Sequence, residues 1–440
     1  MQVNKEISLD YRFRLPAIID YVNYGGKTIV IAREEGNWIV LDNLNQRAYF
    51  DALRAKTIGE ALKTVDCSDE DSRWVVTQIV ARHFEEPPKY QELIPVMQLY
   101  LTNSCNMNCP HCYMSAGKAN EHELTTDEVF RILKAFKKNG GIDVKLTGGE
   151  IALRPDLFDI AKYGATIGLH MELLTNGTLW TKESIEKIVP YISVVQISID
   201  GYSEEENAKV RGKGNFQKAL DAVHYFTISG ARVHVAMTAY YSSDLSEKAT
   251  CYVEFARNLK EKYKDYDFDV FIATGLLPGR YGTLSQEESD EYTTITQRIY
   301  SQYKGCSNFV DEGFIGRHMS GVILSNCSYG YPTIASNGDV FMCPIISATN
   351  VVANIRTTSL NKIMEICNHA HNLSETRNLE PCNHCELKSI CGGDCRICYF
   401  NDLKRDDIEN VTAPVRRRCS QDVKNKFYEL MINTNTEIFH

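Results

Sequence analysis

The chain has 440 residues, of which 43% are hydrophobic and 24% charged, and a formal net charge of -9. At about 150 residues per domain this predicts roughly three folded domains, and the acidic balance argues against a general affinity for nucleic acid or an anionic membrane. No run of about 18 apolar residues could cross a bilayer, and the opening MQVNKEISLDYRFR lacks the apolar stretch of a signal peptide, so a cytoplasmic protein is expected.

Residues 1–88 read as a small unit. Three β-rich runs, Ala17–Val22, Thr28–Ala32 and Trp38–Asp42, are separated by Gly25-Gly26 and Gly36-Asn37, which mark turns. Helical patterns follow over Gln46–Ala55, Ile58–Lys63 and Asp69–Phe84; the last carries Trp74, Val75, Ile79 and Val80 at helical spacing and Ser68 as N-cap. Three strands followed by three short helices predict a winged-helix-like α+β domain. Pro87-Pro88 ends it, because proline does not continue a helix.

From 94 to 285 strand and helix alternate. The β-rich runs are Val96–Leu101, Val144–Leu146, Met171–Leu174, Val194–Ile199, Val233–Met237 and Phe268–Ala273. The clearest helix between them is Thr126–Lys138, with Thr126 as N-cap and Val129, Ile132, Leu133 and Phe136 as its apolar stripe. Such alternation implies an α/β fold with a parallel sheet and right-handed crossovers, here a partial (β/α)6 TIM-like barrel. Its functional residues belong just past the C-terminal strand ends. Thr102-Asn103-Ser104-Cys105 follows the first run, Thr147-Gly148-Gly149-Glu150 the second, Thr175-Asn176-Gly177 the third, Asp200-Gly201 the fourth and the Gly275–Arg280 stretch the sixth. Residues 286–322 are expected to form a helical bridge. Residues 323–440 are expected to form a loop-rich, cysteine-rich domain that depends on metal for its core, with Gln421–Ile432 as a structural helix.

Fifteen cysteines are many for a chain expected in a reducing compartment, where clustered cysteines point to metal or catalysis rather than disulfides. Cys67, Cys251, Cys306 and Cys367 stand alone and read as small buried apolar side chains. Cys105, Cys109 and Cys112 share one loop at C-x3-C-x2-C spacing. Thiolates are the ligands of iron–sulfur clusters, usually four of them, so three alone leave one iron open to another ligand. A zinc site completed by His111 is the alternative, although adjacent His111 and Cys112 share a tetrahedron awkwardly.

A C-x3-C-x-aromatic-C loop followed by Gly148-Gly149-Glu150 after the next strand resembles the radical S-adenosylmethionine (SAM) superfamily. The resemblance implies a [4Fe–4S] cluster on Cys105, Cys109 and Cys112 whose open iron holds SAM, which is cleaved to a 5′-deoxyadenosyl radical. It also implies that Glu150 with the Gly148-Gly149 backbone holds the methionine ammonium. Ser198 and Asp200 would contact the ribose, Arg211 the SAM carboxylate, and Tyr113 with Leu277-Pro278 would flank the adenine. Taken singly, Ser198 and Asp200 also read as helix caps and Arg211 as a surface cation.

Further on, Cys327, Gly338, Cys343, Cys382, Cys385, Cys391, Cys395 and Cys419 follow in an order that resembles the SPASM domain. That resemblance implies two auxiliary [4Fe–4S] clusters, three in the whole chain. Cys382, Cys385, Cys391 and Cys419 would bind the distal one; Cys327, Cys343 and Cys395 would bind the nearer one, with Cys306 or an open iron as its fourth position. Cys398 departs from the pattern and competes with Cys419. A paired zinc ribbon is the alternative for the C-x2-C pair.

Residues 10–86 are not basic: Glu34, Glu35, Asp42, Asp66, Asp69, Glu70 and Asp71 oppose a DNA-binding reading. They look like the peptide-recognition element (RRE) of pathways that make ribosomally synthesised, post-translationally modified peptides (RiPPs). This implies that the leader of a precursor peptide adds as a strand beside Trp38–Asp42 and packs on Asp69–Phe84. The three resemblances together imply a RiPP maturase of the sactipeptide or ranthipeptide type. It would abstract hydrogen from a precursor peptide and install a crosslink, first of all a cysteine thioether, with a flavodoxin or ferredoxin as electron donor. Carbon–carbon or carbon–oxygen crosslinking, formylglycine generation on a sulfatase and a zinc-ribbon binding protein are the alternatives. No pattern selects a catalytic acid or base.

Overall fold

The computed structural model describes residues 7–90, 95–277, 279–280, 282, 284–305, 322–327, 329–345, 351–393, 395–396 and 419–439. Pro278, Cys306, Cys398 and residues 306–321 of the expected helical bridge lie outside the described residues.

The first unit is an antiparallel meander, β1 (Ile19–Tyr24), β2 (Lys27–Ala32) and β3 (Asn37–Leu41), followed by α1 (Leu44–Leu53), α2 (Ile58–Thr64) and α3 (Asp69–Ala81). Side-chain alternation sends Val30, Ala32, Ile39 and Leu41 toward Tyr49, Phe50, Val75 and Ile79 of the helices. The other face, Ile29, Ile31, Trp38 and Val40, packs on Leu387, Ile390, Tyr428 and Met431 from the far end of the chain. Both faces are therefore covered, and every residue of β3 is buried. Its outer edge is engaged as well. The Val40 N–H donates to Gln78 Oε1 at 3.0 Å, Gln78 Nε2 donates to the Val40 carbonyl at 2.7 Å, and the Asp42 N–H donates to Gln46 Oε1 at 2.8 Å. A strand added beside Trp38–Asp42 has to displace Gln78 first.

A short strand, β4 (Lys89–Tyr90), leads into six parallel strands: β5 (Val96–Thr102), β6 (Asp143–Gly148), β7 (His170–Thr175), β8 (Val194–Ser198), β9 (Arg232–Met237) and β10 (Phe268–Ile272), ordered β10-β9-β8-β7-β6-β5. Between and after them run α4 (Thr126–Lys138), α5 (Leu157–Thr166), α6 (Lys182–Ile188), α7 (Glu204–Arg211), α8 (Phe216–Ile228), α9 (Leu245–Lys262) and α10 (Gln286–Lys304). The N-cap of α4 is Thr125, not Thr126. Thr125 Oγ1 accepts from the Glu128 N–H at 3.3 Å and Glu128 returns to the Thr125 N–H at 2.8 Å. Only Thr125 has a glutamate three residues on, as a capping box requires; Thr126 instead donates to Asp156 at 2.6 Å.

The cysteine-rich segment is not set apart from the barrel. After β11 (Val322–Ile323), which pairs with β4, β12 (Thr333–Ile334) lies parallel to β5, and β13 (Asp339–Phe341) and β14 (Ala353–Asn354) continue outward. The result is one nine-stranded sheet. Then come α11 (Leu360–Leu373), α12 (Lys388–Cys391) and α13 (Gln421–Phe439), the last running two turns past the expected Ile432. No helix among the described residues is long and apolar enough to cross a membrane.

Candidate active site

The end of β6 fixes the cysteine loop. The Gly149 N–H donates to the Thr102 carbonyl at 2.8 Å and the Glu150 N–H to the Ser104 carbonyl at 2.7 Å. A Cβ on Gly148 would stand 2.4 Å from the Thr102 oxygen, and one on Gly149 2.2 Å from the Ser104 oxygen, so this close approach requires glycine. From the end of β7, Asn176 Nδ2 donates to Asn106 Oδ1 at 2.8 Å, and Asn106 in turn donates to Thr178 at 3.0 Å. Arg280, past β10, donates to the carbonyls of Cys109 and Ala116. Held from three strand ends, Cys105, Cys109 and Cys112 come together around Met107 and Val210.

The donor set suits a cluster. Burial pushes the Cys105 and Cys109 thiols up, while the Arg211 guanidinium draws Cys109 back down; metal coordination takes the thiolate and overrides the burial. The Met107 N–H donates to Cys105 Sγ at 3.4 Å, and the same contact two residues on recurs from Ile345 to Cys343 Sγ at 3.5 Å and from Leu387 to Cys385 Sγ at 3.4 Å. Backbone N–H groups aimed at sulfur stabilise cluster-bound thiolates and tune their potential. Among the described residues no three Cys, His, Asp or Glu side chains converge closely enough to hold one metal ion. A four-iron cluster takes each thiolate at a separate corner.

Glu150 is fully buried. Its carboxylate accepts from Thr175 Oγ1 at 2.5 Å, the Asn176 N–H at 2.7 Å and the Ala152 N–H at 3.1 Å; burial pushes the carboxyl up and these bonds oppose it. Asp200, also fully buried, accepts from the Thr238 N–H at 3.0 Å and pairs with Arg211 Nε, with His111 Nε2 at 3.5 Å. The two residues expected to hold separate parts of a ligand thus pair with each other. Ser198 ends β8, in register with Ala236. Leu277 lines a chamber of about 470 Å³ together with Pro110, His111, Tyr240, Leu276 and Ser289. A second hollow of about 470 Å³, bounded by Met107, Lys209, Val210 and Arg211, shares Pro110 and Tyr240 with it.

Tyr113 is not in that chamber. Its hydroxyl meets Tyr100 Oη at 2.9 Å, and Tyr100 donates to the Pro344 carbonyl at 2.6 Å, beside Cys343. The chamber wall is His111, whose backbone lies so near Gly279 that a Cβ there would stand 2.5 Å away. Sequence reasoning weighed His111 only as a zinc ligand; its aromatic place before the third cysteine was the available signal. Asn106 and Tyr240 carried none, since each is placed by a neighbouring strand end.

The remaining cysteines fall into two cores. Cys327, Cys343 and Cys395 pack with Tyr329, Met342 and Leu379, and Cys382 borders the same core while its carbonyl accepts from the Cys385 N–H at 2.9 Å. Cys385 and Cys391 pack against the β1–β3 sheet and Tyr428. Burial pushes the Cys385 thiol up to about 11, with Cys419 near enough to add to it. Of the lone cysteines, Cys367 is buried, Cys67 half-buried and Cys251 exposed, so Cys251 departs from the buried expectation.

A half-barrel that lays a three-cysteine loop across a Gly-Gly-Glu strand end is the architecture of a radical SAM domain. Residues 99–246 match the Radical SAM superfamily, and such a domain works with a [4Fe–4S] cluster and SAM. The chain is 29% identical over 324 residues to the AdoMet-dependent heme synthase of Methanosarcina barkeri, covering 67% of this chain and 89% of that protein. It is 26% identical over 317 residues to the mycofactocin maturase MftC of Mycolicibacterium smegmatis, covering 68% and 77%. The fold is similar to that of native anSMEcpe with bound AdoMet and Cp18Cys peptide, at a TM-score of 0.54 and 18% identity over 78% of this chain and 99% of that one.

Proposed function

We propose that the chain is a peptide maturase that abstracts hydrogen from a ribosomally made precursor and installs a crosslink, first of all a thioether between a cysteine sulfur and a carbon. The observation that carries this reading is the union of three parts in one molecule. A radical SAM domain is joined to an acidic three-strand, three-helix unit, and that unit is seated on a segment whose cysteines repeat the N–H to sulfur contact. Likeness to the maturase MftC supports it.

Cys105, Cys109 and Cys112 would ligate the SAM-binding cluster, and residues 323–440 would form a SPASM domain with two more. Cys382, Cys385, Cys391 and Cys419 would serve the distal cluster; Cys327, Cys343 and Cys395 the nearer one. When bound, the clusters supply the electron that cleaves SAM and a sink for the electron left over. Glu150 is suited to the methionine ammonium by its buried carboxylate, and Arg211 to a carboxylate once it divides its N–H groups between ligand and Asp200. His111 and Leu277 would flank the adenine, Ser198 and Asp200 the ribose. Joining sulfur to carbon removes one hydrogen from each: one leaves as an atom to the 5′-deoxyadenosyl radical, the other as a proton and an electron.

After anaerobic reconstitution, about twelve irons per chain are expected for three clusters. Mass spectrometry of a candidate precursor peptide, incubated with the chain, SAM and a reductant, should show the loss of two hydrogens. Changing Cys105, Cys109 and Cys112 to Ala should end 5′-deoxyadenosine release; persistent release would overturn the cluster assignment. A tetrapyrrole substrate is a second reading, favoured by the 29% identity to the heme synthase. A change in a porphyrin absorption spectrum without any change in peptide mass would select it.

A further inference from the structure

The N-terminal unit buries a cation that it does not neutralise. Arg82, which ends α3, is 0% exposed. Its guanidinium carbon lies 4.5 Å over the Trp38 ring and 5.1 Å from the Phe439 ring, and Nη2 donates to Asn435 Oδ1 at 2.9 Å. Nε and Nη1 have no acceptor among the described residues. Among the described residues no carboxylate pairs with it, and burial draws the guanidinium down to about 9. A buried charge without a counter-charge is strongly unfavourable; two rings and one neutral oxygen offset only part of that.

What covers Arg82 is the end of α13. Asn435 and Thr434 are buried against the unit, and the Phe439 ring meets Trp74 edge-on at 5.1 Å. The start of the same helix is held far more firmly. Lys424 and Tyr428 both bond Glu386, and Leu430 and Met431 lie in the shared apolar core. Among the described residues, the end over Arg82 brings it the neutral amide of Asn435 and the ring of Phe439. The guanidinium fork matches a carboxylate in shape as well as charge. The chain as a whole carries a net charge of -9, so an acidic partner is not drawn by the general field and must be read at a particular cation.

We propose that Arg82 is the carboxylate-reading residue of the N-terminal unit, and that an acidic side chain of the precursor's leader takes the place of Asn435 when the leader displaces the last turns of α13. This rests on the reading of the N-terminal unit as the leader-binding element. The partner segment carries Asp or Glu beside a large apolar residue, which takes the place against Trp74 and Arg82 that Phe439 occupies.

The test uses the reconstituted full chain and a fluorescein-labelled synthetic leader of the precursor, read by fluorescence anisotropy. Asn435→Asp supplies the carboxylate from within; it should raise the melting temperature and weaken leader binding about tenfold, the weight of one buried charge-assisted bond. A leader with its Asp and Glu changed to Asn and Gln should bind the unaltered chain about tenfold more weakly. Against Arg82→Gln the two leaders should bind alike. If Asn435→Asp leaves affinity unchanged, or the unaltered chain does not distinguish the two leaders, the proposal is overturned, whether or not Arg82→Gln folds. Photo-crosslinking separates this failure from that of the underlying reading. A leader that crosslinks to residues 27–90 but ignores these substitutions overturns only the Arg82 assignment, whereas crosslinks confined to the barrel overturn both.

Discussion

Two backbone bonds and two absent methyl groups decide where the cysteine loop lies. Because Gly149 stands with its Cα against Ser104, a methyl there has backbone rather than a flexible side chain to push aside. Gly149→Ala should therefore lift the loop from β6 and reduce both iron uptake at the first cysteine group and 5′-deoxyadenosine release more than tenfold. Gly275, at another strand end, has nothing within 4 Å of its added Cβ. Gly275→Ala is the matching control and should keep its iron. Equal iron loss in both variants would mean that close approach is not what matters. The Asp200–Arg211 pair gives a second test. Arg211 is 14% exposed and Asp200 1%, so Asp200→Asn leaves a buried guanidinium uncompensated at about 3–5 kcal/mol. A marked fall in melting temperature is expected, and an unchanged one would show that solvent already reaches Arg211.

At the scale of elements, Gln78 behaves as a one-residue strand, its amide offering β3 the donor and acceptor that a neighbouring backbone would. Replacing it by Leu strands the N–H and C=O of Val40 in a buried edge, at about 1–3 kcal/mol for each group. Gln78→Leu should lower the melting temperature by several degrees, whereas Gln46→Leu takes its amide from the Asp42 N–H at the exposed strand end and from Asp71, which keeps Asn43 and Ser68, and should cost less. Equal losses would argue against Gln78 completing the sheet. The strands themselves were legible, because Val30, Ile39 and Leu41 alternate with Ile29, Trp38 and Val40 and turn dipeptides separate the three runs. The burial of both faces was not, since alternation alone cannot say that the second face meets residues some 350 positions away. Thr125 and Thr126 differ as caps only through the glutamate at 128. The cysteine loop and Gly-Gly-Glu were legible from spacing. The Asn106–Asn176 support joins the ends of β5 and β7 and is visible only once the sheet is assembled, and the Asp200–Arg211 pair only once α7 has folded back on the end of β8.

On the scale of the whole molecule, the cysteine-rich segment is both the outer edge of the barrel sheet and the floor of the N-terminal unit. Its β12 pairs with β5 at Gln98 and Leu99, while Leu387 and Ile390, between Cys385 and Cys391, pack under Trp38 and Val40. Removing the first unit to test its role would bare that apolar floor and confuse loss of function with loss of fold. The informative perturbation runs the other way. With Cys385 and Cys391 both changed to Ala, the turn from Cys385 to α12 loses the covalent anchor a cluster would give it, and metal ligation is folding free energy for so small a core. The floor should loosen under β2 and β3 while the central strand β6, packed deep in the barrel, stays as it was. Hydrogen–deuterium exchange should therefore speed up across residues 27–41 and remain slow across residues 143–148. Release of 5′-deoxyadenosine without substrate should persist, because Cys105, Cys109 and Cys112 are held by the ends of β6, β7 and β10. Faster exchange in both segments would mean that the sheet joined through β5 and β12 transmits the loss. Faster exchange in neither would mean that apolar contact alone holds the N-terminal unit in place.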